Sequence, residues 1–210
     1  MKTQQMDFWA SNFGSEYTDR NTYTNEQLDA FYTEQFGVSR TEMNRDFLGG
    51  LELNRILEAG CNIGNQLRSL QSMGLDGLYG IELQDYAVEK SKQLSTGINI
   101  IQGSIFDIPF KDGYFDLVFT SGVLIHISPN DINNAIDEIY RASNRYIWGF
   151  EYYSDKHEEV PYRGNEDKLW KANFMQLFID RYPNLRMVKE QKYKYVQNDN
   201  VDQMYLLEKA

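Results

Sequence analysis

Apolar and polar positions alternate between two periods along most of this chain. Residues 54–58, with Ile56 and Leu57 at their centre, read as a short buried strand, and residues 65–73 then put Leu67, Leu70 and Met73 at helical spacing. Gly60 and Gly64 mark a tight turn between them. The alternation continues with a strand at 78–82 and a helix at 85–94, capped by Asp85 with Ala87, Val88 and Ser91 inward. A third strand follows at 98–102. Residues 114–121 make a fourth, apolar almost throughout, as expected of a strand buried on both faces. Pro129 opens a helix to residue 142 with Ile132, Ala135, Ile136 and Ile139 on one face, and 145–153 is a fifth strand. A helix at 171–182 turns Phe174, Leu177 and Phe178 inward. Residues 186–197 and 201–208 then read as a hairpin turning at 198–200.

Ahead of the first strand, residues 25–36 place Leu28, Phe31, Tyr32 and Phe36 on one helical face. Residues 41–48 form a second helix closed by Gly49 and Gly50. The pattern therefore predicts a single domain over residues 1–210. Its N-terminal helical cap, residues 1–50, packs on a Rossmann-like core, residues 51–210. The fold class is α/β, with a seven-stranded, mostly parallel sheet and an antiparallel edge strand.

Composition narrows the partners. Hydrophobic residues make up 41% and charged residues 25%, ordinary for a soluble globular protein. No apolar run is long enough to cross a bilayer and residues 1–5 carry no apolar signal region, so neither membrane nor export is expected and the cytoplasm is. The net charge of -10, with no basic run, argues against nucleic acid and for a small-molecule substrate. Cys61 is the one cysteine, which excludes an internal disulfide, and no Cys/His cluster suggests a metal.

Ligands of such sheets sit at the carboxyl ends of the strands, so the chemistry belongs to the loops there. The first turn reads Glu58-x-Gly60-x-x-x-Gly64, not the Gly-x-Gly-x-x-Gly of dinucleotide sites. A carboxylate before the first glycine would repel a pyrophosphate but suits hydroxyls and an ammonium group, as on S-adenosylmethionine. Glu82, about twenty residues on, stands where a carboxylate takes ribose hydroxyls, with Asn62 and Leu83 beside the same ligand. Ser104 and Ile105 fall at the adenine position, and Ser121 and Gly122 would pass the methionine portion. This turn resembles motif I of class I methyltransferases. The later motifs match in their order too: an acidic second strand, Gly-Ser-x-x-Asp at 103–107, Phe-Asp-Leu-Val at 115–118, and a loop containing His126. The resemblance implies S-adenosylmethionine as cofactor and methyl transfer as the reaction.

Tyr17, Arg20 and Asn21 would fold over the cofactor as a lid, with Arg20 or Arg45 available to its carboxylate. His126 is the candidate general base, since it follows the fourth strand and imidazole titrates near neutrality. Glu151, Tyr152, Tyr153, Tyr162 and Arg163 flank the acceptor side, where Arg163 would read a carboxylate or phosphate. The chain also resembles a narrower group, the methylases associated with pseudaminic acid biosynthesis. The carriers are Phe8-Trp9, the run from Glu16 to Asn21, the run from Arg40 to Asn44, the motif I turn, Glu151-Tyr-Tyr153, Pro161-Tyr-Arg-Gly164 and the terminal Leu-Leu-Glu-Lys. That resemblance implies an acceptor among nonulosonic sugar acids, their nucleotide-linked forms or amino-sugar precursors of surface glycans.

Overall fold

A computed structural model describes residues 2–210; Met1, the first residue of the expected cap, lies outside the described residues. Four helices come first: α1 (Gln4–Trp9), α2 (Asn12–Arg20), α3 (Asn25–Phe36) and α4 (Arg40–Leu48). The starts of α3 and α4 are built locally by capping boxes, Thr24 with Gln27 and Ser39 with Glu42. Helices α1 and α2 were not legible as such. Phe13 and Tyr17 are at helical spacing, but two rings in an otherwise polar segment containing Gly14 make too short a stripe to mark a helix, and the helices start on short side-chain caps from Thr3 and Ser11.

The core alternates β1 (Ile56–Ala59), α5 (Asn65–Ser72), β2 (Leu78–Glu82), α6 (Asp85–Leu94), β3 (Asn99–Gln102), β4 (Phe115–Ser121), α7 (Ile132–Ala142) and β5 (Ser143–Tyr152). The short strands β6 (Glu158–Glu159) and β7 (Trp170–Lys171) pair with each other, then α8 (Phe174–Arg181), β8 (Leu185–Lys194) and β9 (Val201–Lys209) complete the chain. The main sheet has seven strands in the order β3-β2-β1-β4-β5-β9-β8. The first five are parallel, and β9 runs antiparallel to both β5 and β8 at that edge. One face buries α7 and α8 through Ile136, Ile139 and Phe178; the other buries α3, α4 and α5 through Leu28, Phe47 and Leu67.

Three helix starts differ from the sequence pattern. Asp85 is the first residue of α6, not its cap; the cap position is Gln84, whose side chain donates to the Trp9 and Ser11 carbonyls instead. Pro129 lies in a turn ahead of α7, which begins at Ile132. Helix α8 begins at Phe174, where Asn173 accepts from the Gln176 amide, because Trp170 and Lys171 are drawn into pairing with β6. The register with most consequence is at the sheet's antiparallel end. Tyr152 pairs with Asp202, which brings the first residues of β9 beside the carboxyl ends of the parallel strands.

Candidate functional site

A cavity of about 640 Å³ opens over those carboxyl ends. Its first lobe is made by the turns after β1 and β2. Gly60 sits at φ +79, and a Cβ there would come within 2.9 Å of the Val123 side chain, so backbone conformation and space both require glycine. The amides of Gly60 and Cys61 both donate to the Ile81 carbonyl, which fixes the turn against β2. Glu82 accepts from the Asn62 amide on Oε2 (2.9 Å) and the Gln84 amide on Oε1 (2.8 Å). Each oxygen keeps a lone pair directed elsewhere, and the carboxylate is held for a bidentate partner such as a ribose diol. Burial raises its pKa against those amide donors.

Glu58 lines the same lobe at 3% exposure, with Oε2 free of any partner, and burial drives its pKa well up despite Arg40. An orphaned buried carboxyl oxygen beside a glycine cradle fits a ligand that brings a hydrogen-bond donor. Asn62 (φ +49) donates from its side chain to Thr18 Oγ1 of α2 and accepts from the Ile63 amide, so motif I and the cap are joined directly. Gln84 reinforces the joint from β2, and Gly14 leaves room for it, since a Cβ would stand 2.3 Å from Gln84 Nε2. Ser104 and Ile105 line the lobe further along; Ser104 Oγ already accepts from the Phe106 amide. Leu83, Ser121 and Gly122 line it as well.

The mouth is closed by rings from three distant segments. Trp9 meets Tyr17 edge-on at 5.1 Å and His126 at 4.6 Å, and His126 lies 5.1 Å from Tyr162. Arg20 lines the rim and pairs loosely with Glu16 at 3.6 Å; Arg163, at φ +49 in a turn closed by mutual Tyr162–Asn165 amide bonds, lines it from the opposite segment. His126 donates from Nδ1 to the Lys168 carbonyl at 2.7 Å, which leaves Nε2 as its acceptor. Burial pushes its pKa down to about 4, so the ring is neutral at physiological pH and holds a proton weakly.

Of the residues expected in the site, four stand outside the cavity wall. Gly64 starts α5 at φ +76, where a Cβ would meet Ile100 at 2.8 Å; its glycine is demanded by the helix start and core contact. Glu151 is 1% exposed and turns under the site, accepting from the Val123 amide at 3.2 Å and the Ile125 amide at 3.4 Å. It shapes the loop after β4, and burial raises its pKa to about 7. Tyr153 faces away, its ring under Lys192 Nζ at 3.7 Å and its hydroxyl on Asp155. Arg45, the alternative partner for the carboxylate, sits in the last turn of α4 and does not line the cavity.

Of the second lobe, sequence reasoning names Tyr152 alone. Tyr32, Gln35, Phe36, Phe150, Tyr195 and Asp202 line it as well, from α3, β5, β9 and the segment after β8. Asp202 is 3% exposed; Oδ2 accepts from the Tyr195 hydroxyl at 3.3 Å and Oδ1 has no partner. Burial raises its pKa to about 8, with Glu151 adding to the rise and Tyr195, Lys171 and Arg40 opposing it. Asp202 and Gln203 interrupt an otherwise apolar strand, and that interruption was the available signal. Beneath this lobe Arg40 is fully buried, donating to Asn44 Oδ1 (2.9 Å) and the Tyr32 hydroxyl (3.1 Å) with its guanidinium 4.8 Å from the Phe150 ring.

Comparison with known proteins agrees with this geometry. Residues 57–145 match a family model described as a methyltransferase domain. The chain is 27% identical over 94 residues to cycloartenol-C-24-methyltransferase 1 of Oryza sativa subsp. japonica, covering 42% of this chain and 27% of that protein's length. Magnesium protoporphyrin IX methyltransferase from Synechocystis PCC 6803, solved with bound S-adenosylmethionine, superposes with a TM-score of 0.71 at 12% identity over 100% of this chain and 99% of that one. The 1,6-didemethyltoxoflavin-N1-methyltransferase of Burkholderia thailandensis, solved with 1,6-didemethyltoxoflavin and S-adenosylhomocysteine, gives 0.72 at 13% identity over 100% and 92%. The fold is that of the class I methyltransferases, and residues 57–145 within it carry the match to the methyltransferase domain model.

Proposed function

We propose that this chain transfers a methyl group from S-adenosylmethionine to a small polar acceptor, of the sugar-acid or amino-sugar kind. The observation that carries the reading is what one cavity brings together. One group of lining residues holds a preset ribose-type carboxylate and an orphaned Glu58 oxygen, and the other, the second lobe, is tyrosines and a carboxyl group. When bound, S-adenosylmethionine supplies a methyl group already activated on sulfonium, so the protein's work is alignment and exclusion of water.

Glu82 would accept the two ribose hydroxyls. Glu58 would accept from the ammonium group, whose charge would keep that buried carboxyl ionised. Arg20 at the rim answers the cofactor's carboxylate, and Arg163 answers an anionic group on the acceptor. Trp9, Tyr17 and Tyr162 form the lid that keeps water off the methyl carbon. His126 contributes as a fixed neutral ring wedged between Trp9 and Tyr162. The test is incubation of the full chain with S-adenosylmethionine and a panel of sugar acids, nucleotide-linked sugar acids and amino sugars. Mass spectrometry would read the gain of one methyl group. Transfer to at least one of them supports the reading; cofactor binding with no transfer to any would overturn it in favour of a non-catalytic S-adenosylmethionine-binding protein.

A further inference from the structure

Asp202 stands apart from the other carboxyl groups of the cavity. Glu58 and Glu82 belong to the first lobe and Glu151 is spent on loop amides, whereas Asp202 faces the second lobe with Oδ1 unpartnered. Its surroundings are aromatic. Phe36 meets Tyr195 at 4.9 Å and Phe150 at 5.7 Å, Tyr32 meets Phe150 at 5.8 Å, and Tyr152 meets Tyr195 at 6.5 Å.

We propose that this lobe is a subsite for a protonated amine on the acceptor, with Asp202 as its counter-charge and the surrounding rings as its walls. This rests on the methyltransferase reading and selects, among polar acceptors, those that carry an amino group. Ring faces attract a cation and gain little from a neutral hydroxyl, and a buried carboxylate needs a partner that returns both charge and hydrogen bond. A carboxylate entering the lobe would hold Asp202 in its protonated form and add a second acidic group to a buried wall, whereas Arg163 at the rim offers an acidic group of the acceptor its opposite charge. The groups that face Asp202 are Tyr195 beside it, Glu151 and Tyr152 on β5, Arg40 on α4, Tyr32 on α3 and Lys171 on β7. Lys171 donates to Asn200 and Arg40 to Asn44 and Tyr32; both favour the ionised form of Asp202 through space, and neither is hydrogen-bonded to it.

The experiment uses the full chain and three matched probes: benzylamine, benzyl alcohol and benzoate. Calorimetry first measures S-adenosylhomocysteine, then titrates each probe with and without it. Benzylamine is expected to bind at least about tenfold more tightly than either other probe, and Asp202→Asn to lose that margin while keeping S-adenosylhomocysteine affinity within about twofold. Should that variant fold poorly, the Asp202 carboxyl carbon of the wild-type chain is followed by NMR. Benzylamine should lower its titration midpoint by about one pH unit or more, and benzyl alcohol should not. Equal binding of the three probes, no benzylamine binding, or an unmoved midpoint overturns the subsite. Failure of S-adenosylhomocysteine to bind is a separate result, which defeats the methyltransferase reading whatever the amine does.

Discussion

The two lobes of the cavity are built in different ways. The first is local: Glu58, Gly60, Asn62 and Glu82 come from two consecutive strand ends, and backbone amides hold the one carboxylate that matters most. The second is assembled from side chains of α3, β5, β9 and the segment after β8, and no short stretch contains it. Recognition by backbone and a few fixed residues suits a ligand that does not change. Recognition by side chains on separate elements can be altered one position at a time, as acceptor specificity requires.

The sharpest way to separate the lobes is to damage each at its support. Arg40→Ala should have the largest effect, on stability, because a buried cation packed against three rings is lost from beneath the second lobe. A loss of about 3 kcal/mol in urea unfolding is expected. Arg40→Lys should not recover it, having no Nε–H for Asn44. Glu82→Gln comes next and strikes the first lobe. Loss of charged hydrogen bonds to the ribose should cost about 2 kcal/mol, read as roughly thirtyfold weaker S-adenosylhomocysteine in calorimetry, with a smaller drop in the unfolding midpoint because the new NH2 faces one of the two backbone amides that Glu82 accepts from. Gly60→Ala should cost about 1–2 kcal/mol through its left-handed backbone and the Val123 contact. Adding Val123→Ala should return only the steric part.

The pH dependence of stability follows from the buried groups in and under the cavity, and Glu58 and Glu82, which burial also raises, act in the same sense as Asp202 and Glu151. Asp202 and Glu151 are raised to about 8 and 7, so each is protonated in the fold over a range where the unfolded carboxyl is ionised. Their contribution is full below the ordinary values of 3.8 and 4.5 and is lost as pH rises through 7 and 8. His126, lowered to about 4, acts in the opposite sense between 4 and 6.5. The thermal midpoint should therefore fall most plainly above pH 6.5, and Asp202→Asn should flatten that fall. The smallest effect is expected at His126. With a pKa near 4 and Nδ1 tied to Lys168, His126→Ala should lower turnover less than about tenfold through a looser lid, leaving the pH profile of transfer in place. Disappearance of a neutral-pH limb would restore it as a base.

The same contrast explains what could be read in the chain beforehand. The sheet and the first lobe were legible because strand, glycine turn and helix are encoded within a few residues of one another. The second lobe was not, because Tyr195 and Asp202 meet through the pairing of β9 with β5 and β8, and Tyr32 joins them only by the packing of α3 against Phe150. Glu151 illustrates the same limit. Its place at a strand end suggested a contact with substrate, but only the fold reveals that the loop after β4 claims both its oxygens. The cap helices α1 and α2 escaped because their rings are organised against His126 and Tyr162, far away in sequence.

The central claim is that one lobe binds the methyl donor and the other does not touch it. Calorimetric titration of S-adenosylhomocysteine into the wild-type chain, Glu82→Gln and Asp202→Asn tests it in one series. The account predicts one site per chain in the wild type, roughly thirtyfold weaker binding in Glu82→Gln and a change under about twofold in Asp202→Asn. Absence of binding to the wild type, or equal losses in the two variants, would contradict it.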